Sequence, residues 1–365
     1  MEGLSNQTDN TTLWDRYGTT SAIFHEFAPT YVTLDRAVTP VWIVLGLVLN
    51  PVSAYIWLER RIRRNNSSAI YLATLSICDF VFLVLQIFVE LRFWGIYTYD
   101  EKIWCKVFYL AYYWPQYLSP LLVLGFTVER YIAVCHPFAK ERFCTVSRAI
   151  NTVISIQVIS FALACVQPFA WEYAEVTSEC GTSEKVDDFY QGWTFFTEVL
   201  VFGVVPLAVL VFNIRVLLEI KRITNESGSM LPYQPNQSSN TAASTITLVS
   251  VSFYLILSLL PVTIVYIMGF LIHSGEINLT DEQVRADPAW TRYFNFMIAR
   301  KFVEELCLSH YCFYFFIYIA TGMQFRNAFV RLICQHKVCQ SRRNANVKYN
   351  VVHANGDGTT CVTAI

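Results

Sequence analysis

The chain has 365 residues, of which 54% are hydrophobic and only 15% are charged, with a formal net charge of −1. Soluble globular domains are about 25% charged, so this composition argues against a soluble domain and for a membrane protein. No phosphate-binding loop, metal-ligand spacing or nucleophile motif occurs along the chain. Nothing in the sequence therefore indicates an enzyme, and we expect no cofactor and no nucleic-acid partner.

Seven apolar segments follow one another along the chain, and each is long enough, at about 20 residues, to cross a bilayer. The sequence therefore predicts an all-α membrane protein, a bundle of seven transmembrane helices. The predicted segments are Val38–Leu58, Ala69–Phe93, Trp104–Cys135, Ala149–Trp171, Trp193–Ile220, Ala242–Ile272 and Phe296–Thr321.

Lys and Arg are concentrated after the first, third, fifth and seventh segments, whereas the connections after the fourth and sixth are acidic. An excess of basic residues marks the cytoplasmic side of a membrane protein. We therefore expect an extracellular N-terminal tail (1–36), a transmembrane domain (37–322) and a cytoplasmic tail (335–365) in the plasma membrane. Asn6 and Asn10 begin N-glycosylation sequences on the expected extracellular side.

The eleven cysteines divide by the same topology. Only Cys105 and Cys180 are predicted to face an oxidising compartment, so we expect one disulfide between them. Cys105 and Arg130 are separated by 25 residues, which extend about 37 Å in a helix. The adjacent charges of Glu129 and Arg130 therefore lie at the cytoplasmic end of the third helix.

The stretch "ERYIAVCHPF", from Glu129 to Phe138, resembles the Asp/Glu-Arg-Tyr motif of rhodopsin-like (class A) G-protein-coupled receptors. The resemblance extends from about residue 38 to residue 334 and favours the neuropeptide-receptor group. Motifs that occur in the expected order on seven segments identify a family far more specifically than any single motif does. The other matching features are Asn50 in "LVLNP", Asp79 in "LSICDF", Ser119, Pro206, Pro261, Tyr318 in "FFIY", and "GMQFRNAF".

Several residues depart from this family's pattern. Tyr314 stands where the helix-seven motif has Asn, and the helix-six segment has Pro261 without the Trp that usually precedes it. Ile214 replaces a helix-five Tyr. The resemblance therefore implies an activation switch that is partly rewired.

The resemblance implies roles at the cytoplasmic end. Glu129 would pair with Arg130 at rest, and Arg130, next to Tyr131, would turn toward a heterotrimeric G protein when helix six moves at Pro261. Phe138 would insert into that partner, and Tyr318 belongs to the same switch. Arrestin is a second expected cytoplasmic partner.

Asp79 is the only acidic residue deep in the second segment, and a carboxylate inside a membrane is a functional-site hypothesis by default. In the family, this residue and the Ser at Ser119 bind a sodium ion. The alternative is an ion-free Asp79 that is hydrogen-bonded to Asn50 and Ser119. The two hypotheses carry equal weight, because Tyr314 replaces the Asn that usually completes the ion site.

The outer halves of the helices are expected to form the ligand pocket. The third helix has no Asp between Cys105 and Glu129, which argues against an amine receptor, and Lys301 at the outer start of the seventh segment excludes a retinal pigment. Carboxylates and tyrosines favour a peptide with an Arg, a Lys or a free amino terminus. The candidate ligand residues are Glu90, Tyr112, Tyr113, Gln116, Glu198, Tyr266, Arg300 and Glu304.

Two other functions are open from the sequence. A receptor of the same fold could recognise a lipid or a small metabolite. A seven-helix channel or transporter would need inverted repeats or helices broken at the midplane, and neither pattern occurs in the sequence. A peptide receptor therefore leads.

Residues 323–334 place apolar side chains at helical spacing around Arg326 and Arg331. This pattern predicts an amphipathic helix on the membrane lipids of the inner leaflet. Cys334 and Cys339 follow and are candidates for palmitoylation. The final "CVTAI", with Thr363 and Ile365, matches the C-terminal peptides that bind PDZ scaffolds.

Overall fold

The structure is a computed structural model that describes residues 12–64, 66–174, 179–182, 188–227 and 235–334. Seven helices in this part of the chain are long and apolar enough to cross a membrane, which confirms the predicted bundle. In chain order the helices are α1 (Leu13–Tyr17), α2 (Thr20–Phe27), α3 (Pro29–Leu58), α4 (Arg60–Arg63), α5 (Ser68–Phe93), α6 (Lys102–Cys135), α7 (Pro137–Phe143), α8 (Val146–Ala164), α9 (Asp188–Glu198), α10 (Val205–Ser227), α11 (Pro235–Gly269), α12 (Asp281–Ala286), α13 (Pro288–Thr321) and α14 (323–334).

Two of the spanning helices begin at least eight residues earlier than the sequence predicts. α3 begins at Pro29 rather than Val38, and α13 begins at Pro288 rather than Phe296. Asp35 lies outside the predicted first segment, and Lys301 lies near the outer start of the predicted seventh. The structure instead buries both side chains and pairs them with each other, so the two helices continue through these residues.

The fifth span is not a uniform helix, because a π-helical segment (Val199–Val204) lies between α9 and α10. Pro206 has no backbone N–H, so the carbonyl of Phe202, four residues earlier, loses its α-helical donor. Thr263 Oγ1 of α11 donates to that carbonyl at 2.6 Å. The π-helical segment is therefore hydrogen-bonded to the sixth span. The donor, Thr263, lies two residues after Pro261, where a bend was predicted.

The helices α3, α5 and α13 approach one another closely at Gly46. A β-carbon at this residue would overlap Leu83 Cδ1 and would lie 3.4 Å from Cys312 Cβ. Protein interiors are packed to crystalline density, so an added methyl group must displace its neighbours. Gly46 therefore sets the spacing of these three helices.

Gly46→Ala should destabilise the protein by about 1–3 kcal/mol, as overpacking substitutions do in other cores. Gly192→Ala is the matched control, because a β-carbon there meets nothing within 4 Å. That control should be neutral or slightly stabilising, since Ala is the better helix former. Thermal unfolding of the purified protein measures both variants, and equal melting temperatures would contradict the packing at Gly46.

The Cys105–Cys180 disulfide, which the sequence predicts, is present in the structure. We call the end of the bundle that carries it the disulfide end, and the opposite end of α6 the Arg130 end. The bond ties α6 to an antiparallel hairpin formed by β1 (Trp171–Ala174) and β2 (Glu179–Thr182). Asp100 Oδ1 accepts from the backbone N–H of Cys180 at 2.7 Å, and Arg92 donates to the Cys180 carbonyl at 3.0 Å.

Replacing Cys105 or Cys180 by Ser should lower surface expression or ligand binding strongly, because removing a native disulfide typically costs about 2–5 kcal/mol. Cys165→Ser is a control at a half-buried free thiol. Surface labelling of intact cells provides the measurement. If both disulfide variants match Cys165→Ser, the bond does not hold this end of the bundle together.

Residues 12–28 form a folded N-terminal cap, and this corrects the expectation of a polar tail up to residue 36. Apolar side chains of α1 and α2, including Leu13 and Phe24, pack with Trp290 and Phe294 of α13. The backbone N–H of Leu13 donates to the carbonyl of Ile277 at 2.7 Å. The cap therefore closes against the connection between the sixth and seventh spans.

Polar contacts reinforce the cap. Tyr17 donates to Asp281 Oδ2 at 2.9 Å, and Arg16 lies 3.2 Å from Asp281 Oδ1. Arg285 pairs with Glu26 on the same face. Burial and the hydrogen bond with Asp281 raise the pKa of the Tyr17 hydroxyl, so Tyr17 keeps its donor proton at neutral pH.

Candidate functional site

A row of tyrosines on α6 lines the inside of the disulfide end. Tyr112 donates to Gln86 Oε1 of α5 at 2.7 Å, which fixes that ring between two helices. Tyr113 contacts the rings of Tyr109, Tyr117 and Trp171. Gln116, the third candidate on this helix, donates to the Tyr112 carbonyl at 3.1 Å. The hairpin thus lies against this row through Trp171.

Glu198 lies at the last turn of α9, opposite these tyrosines. Tyr117 donates to Glu198 Oε1 at 3.3 Å, and Tyr117 also accepts from Gln167 at 2.6 Å. Tyr266 of α11 packs edge-on against Phe270, with ring centroids 5.2 Å apart. The predicted Glu198 is therefore joined to the tyrosine row through Tyr117. Sequence patterns did not identify Tyr117, although it continues the tyrosine row at helical spacing.

Arg300 and Glu304 form an ion pair one turn apart on α13, with Arg300 Nε 2.6 Å from Glu304 Oε1. Their side chains are 37% and 32% exposed, so both face the open part of the disulfide end. The sequence predicted Glu304 as a free acceptor for a cation. In the structure Arg300 already balances that charge, which leaves Glu198 as the better candidate.

The other face of α13 carries a buried ionic cluster that sequence reasoning missed. Lys301 Nζ contacts Asp35 Oδ1 of α3 and lies 2.9 Å from Glu305 Oε1. Thr39 donates to the same Glu305 oxygen at 2.6 Å. Glu90 of α5, a predicted ligand residue, is also buried, and its Oε1 has no hydrogen-bond partner among the described residues. The i, i+4 spacing of Lys301 and Glu305 was the one available sequence signal.

Asp79 is fully buried in the middle of the bundle, where Ser119 donates to its Oδ1 at 3.2 Å. Asn50 instead donates to the Tyr311 carbonyl at 2.7 Å, so the predicted Asn50–Asp79 hydrogen bond is wrong. Asp79 Oδ2 has no partner among the described residues. An orphaned carboxylate oxygen beside a serine hydroxyl fits a monovalent cation, so the sodium site stays a prediction.

The structure does not join Glu129 to Arg130, which corrects the predicted ion pair. Ser67 donates to Glu129 Oε1 at 2.5 Å, and Arg130 Nε donates to Ser68 Oγ at 2.9 Å. Adjacent residues point to different sides of a helix, so each charge finds its own partner at the start of α5. Arg130 Nη2 also reaches Asn66 Oδ1 at 3.5 Å.

The remaining switch candidates lie at the same end of the bundle. Tyr131 packs on Phe212 of α10, and Phe138 at the start of α7 is fully exposed. Tyr318 is fully buried against Trp57 and Phe325, and no described residue hydrogen-bonds its hydroxyl. The described part of α14 ends at Cys334, which is exposed. Asn6, Asn10, Cys339, Thr363 and Ile365 lie outside the described residues.

A family model described as a seven-transmembrane receptor of the rhodopsin family matches residues 51–299. The pyrokinin-1 receptor of Drosophila melanogaster is 30% identical over 40% of this chain and 36% of its own length. The FMRFamide receptor of Drosophila melanogaster is 24% identical over 87% of the chain and 56% of its own length. The human C-C chemokine receptor type 4 is 24% identical over 81% of the chain and 76% of its own length. This chain, a multi-pass membrane protein, therefore belongs to the rhodopsin family of seven-transmembrane receptors.

Proposed function

We propose that this chain is a plasma-membrane receptor that binds an extracellular peptide at the disulfide end and activates a heterotrimeric G protein at the Arg130 end. The observation that carries the proposal is Glu198, a half-buried side chain at the disulfide end whose Oε1 accepts a hydrogen bond from Tyr117 at 3.3 Å. Two of the similar proteins are named as receptors for pyrokinin and for FMRFamide, which supports a peptide ligand.

The chemistry of the site specifies the kind of peptide. A carboxylate in a poorly solvated site favours a cationic partner, and tyrosine faces hold cations or apolar side chains. A short peptide with an Arg, a Lys or a free amino terminus satisfies both features. An amidated C-terminus also avoids repulsion from Glu198 and from the neighbouring acidic side chains.

The orientation of the chain follows from the basic connections, with the N-terminus outside and α14 on the inner leaflet. Glycosylation at Asn6 and Asn10, palmitoylation at Cys334 and Cys339, and a PDZ scaffold on the final residues fit this orientation. Arrestin binding at the Arg130 end fits the same topology. The receptor acts as a signalling protein without enzymatic chemistry of its own.

Calcium and cyclic-AMP readouts of cells exposed to a library of amidated peptides test the proposal. We expect a response to a basic, amidated member and none in cells without the receptor. A response restricted to lipids or small metabolites would favour the alternative ligand class. Ion currents without G protein would overturn the receptor assignment.

Glu198→Gln should lower the affinity for the active peptide by about 10- to 150-fold, which is the range for losing a hydrogen-bonded charge pair. A double-mutant cycle combines Glu198→Gln with a peptide whose basic residue is neutralised. If Glu198 contacts the cation, the two losses should not add. Glu304→Gln is the comparison, and its smaller effect should add with the peptide change, because Arg300 already pairs with Glu304. Fully additive losses at Glu198 would place the cation elsewhere.

A further inference from the structure

A cavity of about 360 Å³ lies at the Arg130 end, between α4, the residues just before α5, and α14. We call it the arginine cavity. The described residues that line it are Arg61, Ile62, Asn66, Gln324, Asn327 and Arg331. All of them except Ile62 carry side-chain N–H donors, and none of them is acidic. The cavity therefore presents donors without a carboxylate of its own.

The frame of the arginine cavity is held by apolar packing. The three α14 residues that line it are three and four positions apart, so they share one face of that helix. The adjacent face carries Phe325 and Ala328, which are 0% and 3% exposed, and the ring centroid of Phe325 lies 5.2 Å from that of Trp57 in α3. Ile62 is also buried and anchors α4. The donors are therefore presented from elements that are fixed to the core.

The positive charge of this region is largely unbalanced. Residues 60–64 contain four arginines, and all four are exposed. Among the described residues, the one carboxylate paired with this group is that of Glu59, whose Oε2 lies 3.4 Å from Arg331 Nη2. One carboxylate cannot balance five guanidinium groups, so the arginine cavity attracts anions.

The donors favour a phosphate ligand, and the surroundings favour a lipid. Guanidinium groups bind phosphate oxygens through two parallel N–H bonds, and amide N–H groups add single donors. Val330 and Ile333 of α14 are 52% and 40% exposed, as expected for a helix that lies on a membrane surface. Anionic lipids are concentrated in the cytoplasmic leaflet, where they attract basic segments next to the membrane.

We propose that the arginine cavity binds the headgroup of a phosphoinositide, a lipid with phosphate groups on its inositol ring. Arg61 and Arg331 belong to two different helices, so they fit a headgroup with separate phosphate groups better than one with a single phosphate. This inference rests on the proposed orientation, in which the Arg130 end faces the cytoplasm. It goes beyond the proposed function, because it requires neither a peptide nor a G protein.

Fluorescence anisotropy of a labelled short-chain phosphatidylinositol bisphosphate, titrated with the purified full-length receptor in a neutral detergent, tests this proposal. We expect saturable binding, with weaker competition by phosphatidylserine of the same chain length. Arg61→Gln and Arg331→Gln should each raise Kd about fivefold, or about 1 kcal/mol, which is the contribution of one basic residue near an anionic surface. Arg142→Gln, at an exposed arginine of α7, is the matched control and should leave Kd unchanged.

Glu59→Gln gives a change of opposite sign. It should lower Kd, because it removes the carboxylate that competes for Arg331. Asn66 is left unchanged in these variants, because its Oδ1 also accepts from Arg130 Nη2 at 3.5 Å.

Three outcomes would overturn the site. Equal competition by phosphatidylserine, or equal losses in Arg142→Gln and Arg61→Gln, would mean that binding follows surface charge alone. Competition by free inositol trisphosphate as strong as that by the unlabelled lipid would assign the cavity to a soluble phosphate instead. Phosphoinositide binding by a receptor that answers no peptide would reject the proposed function and keep the site.

Discussion

Arg130→Ala should retain ligand binding but lose most agonist-driven nucleotide exchange on the G protein. Coupling between two sites of one protein is worth about 5- to 150-fold, and we expect a loss within that range. Arg130 is held at the start of α5 by its hydrogen bond to Ser68. The expected activating step is the release of Arg130 from this contact toward the G protein. Arg142→Ala, an exposed arginine of α7, is the matched control and should couple normally.

The contacts of Glu129 extend this prediction. Because Ser67 holds Glu129 and Ser68 holds Arg130, the resting state depends on the start of α5 rather than on a direct ion pair. Glu129→Gln and Ser68→Ala should therefore both raise signalling without ligand. Basal cyclic-AMP or calcium signals at matched surface expression provide the measurement. If Ser68→Ala signals like the parent, α5 does not restrain Arg130.

Lys301→Met should destabilise the protein by about 3–5 kcal/mol, because it leaves buried carboxylates without their counter-ion. Lys106→Met, at an exposed lysine of α6, should change stability little. Neutralising one partner at the same time, in Lys301→Met with Asp35→Asn, should recover part of the loss. Thermal unfolding in detergent compares the four proteins.

Two outcomes would contradict this account of Lys301. If Lys301→Met and Lys106→Met have the same melting temperature, the ionic cluster contributes nothing to the stability of the fold. A double variant less stable than Lys301→Met alone would mean that Asp35 is held by something other than Lys301. The first outcome concerns the stability that the ionic cluster contributes, and the second concerns the identity of the partner of Asp35.

The seven spans were predictable because each is a long apolar run. A helix needs mainly sufficient length and an apolar composition to cross a membrane. The disulfide followed because only two cysteines face one side of that topology. The N-terminal cap was not predictable in the same way. Its apolar residues, such as Leu13 and Phe24, are scattered among polar ones, and their partners Trp290 and Phe294 are distant in sequence.

The ionic contacts were harder still to predict. A buried charge and an exposed one look identical in a sequence. Asp35 was therefore left outside the first predicted segment and Lys301 was placed at the outer start of the seventh, whereas the structure pairs them. The pairing of Glu129 with Arg130 was expected from the resemblance to the rhodopsin-like family. Only the packing of α5 against α6 reveals that Ser67 and Ser68 are their actual contacts.

The central claim, a peptide at the disulfide end driving a G protein at the Arg130 end, is tested most directly by guanine nucleotide exchange with purified components. The receptor would be placed in lipid nanodiscs with a panel of heterotrimeric G proteins and the amidated peptide library. The account predicts that one basic peptide accelerates exchange on at least one G protein, and that both Glu198→Gln and Arg130→Ala reduce this acceleration. Exchange that no peptide accelerates, or that proceeds equally in the Arg130→Ala receptor, would contradict it.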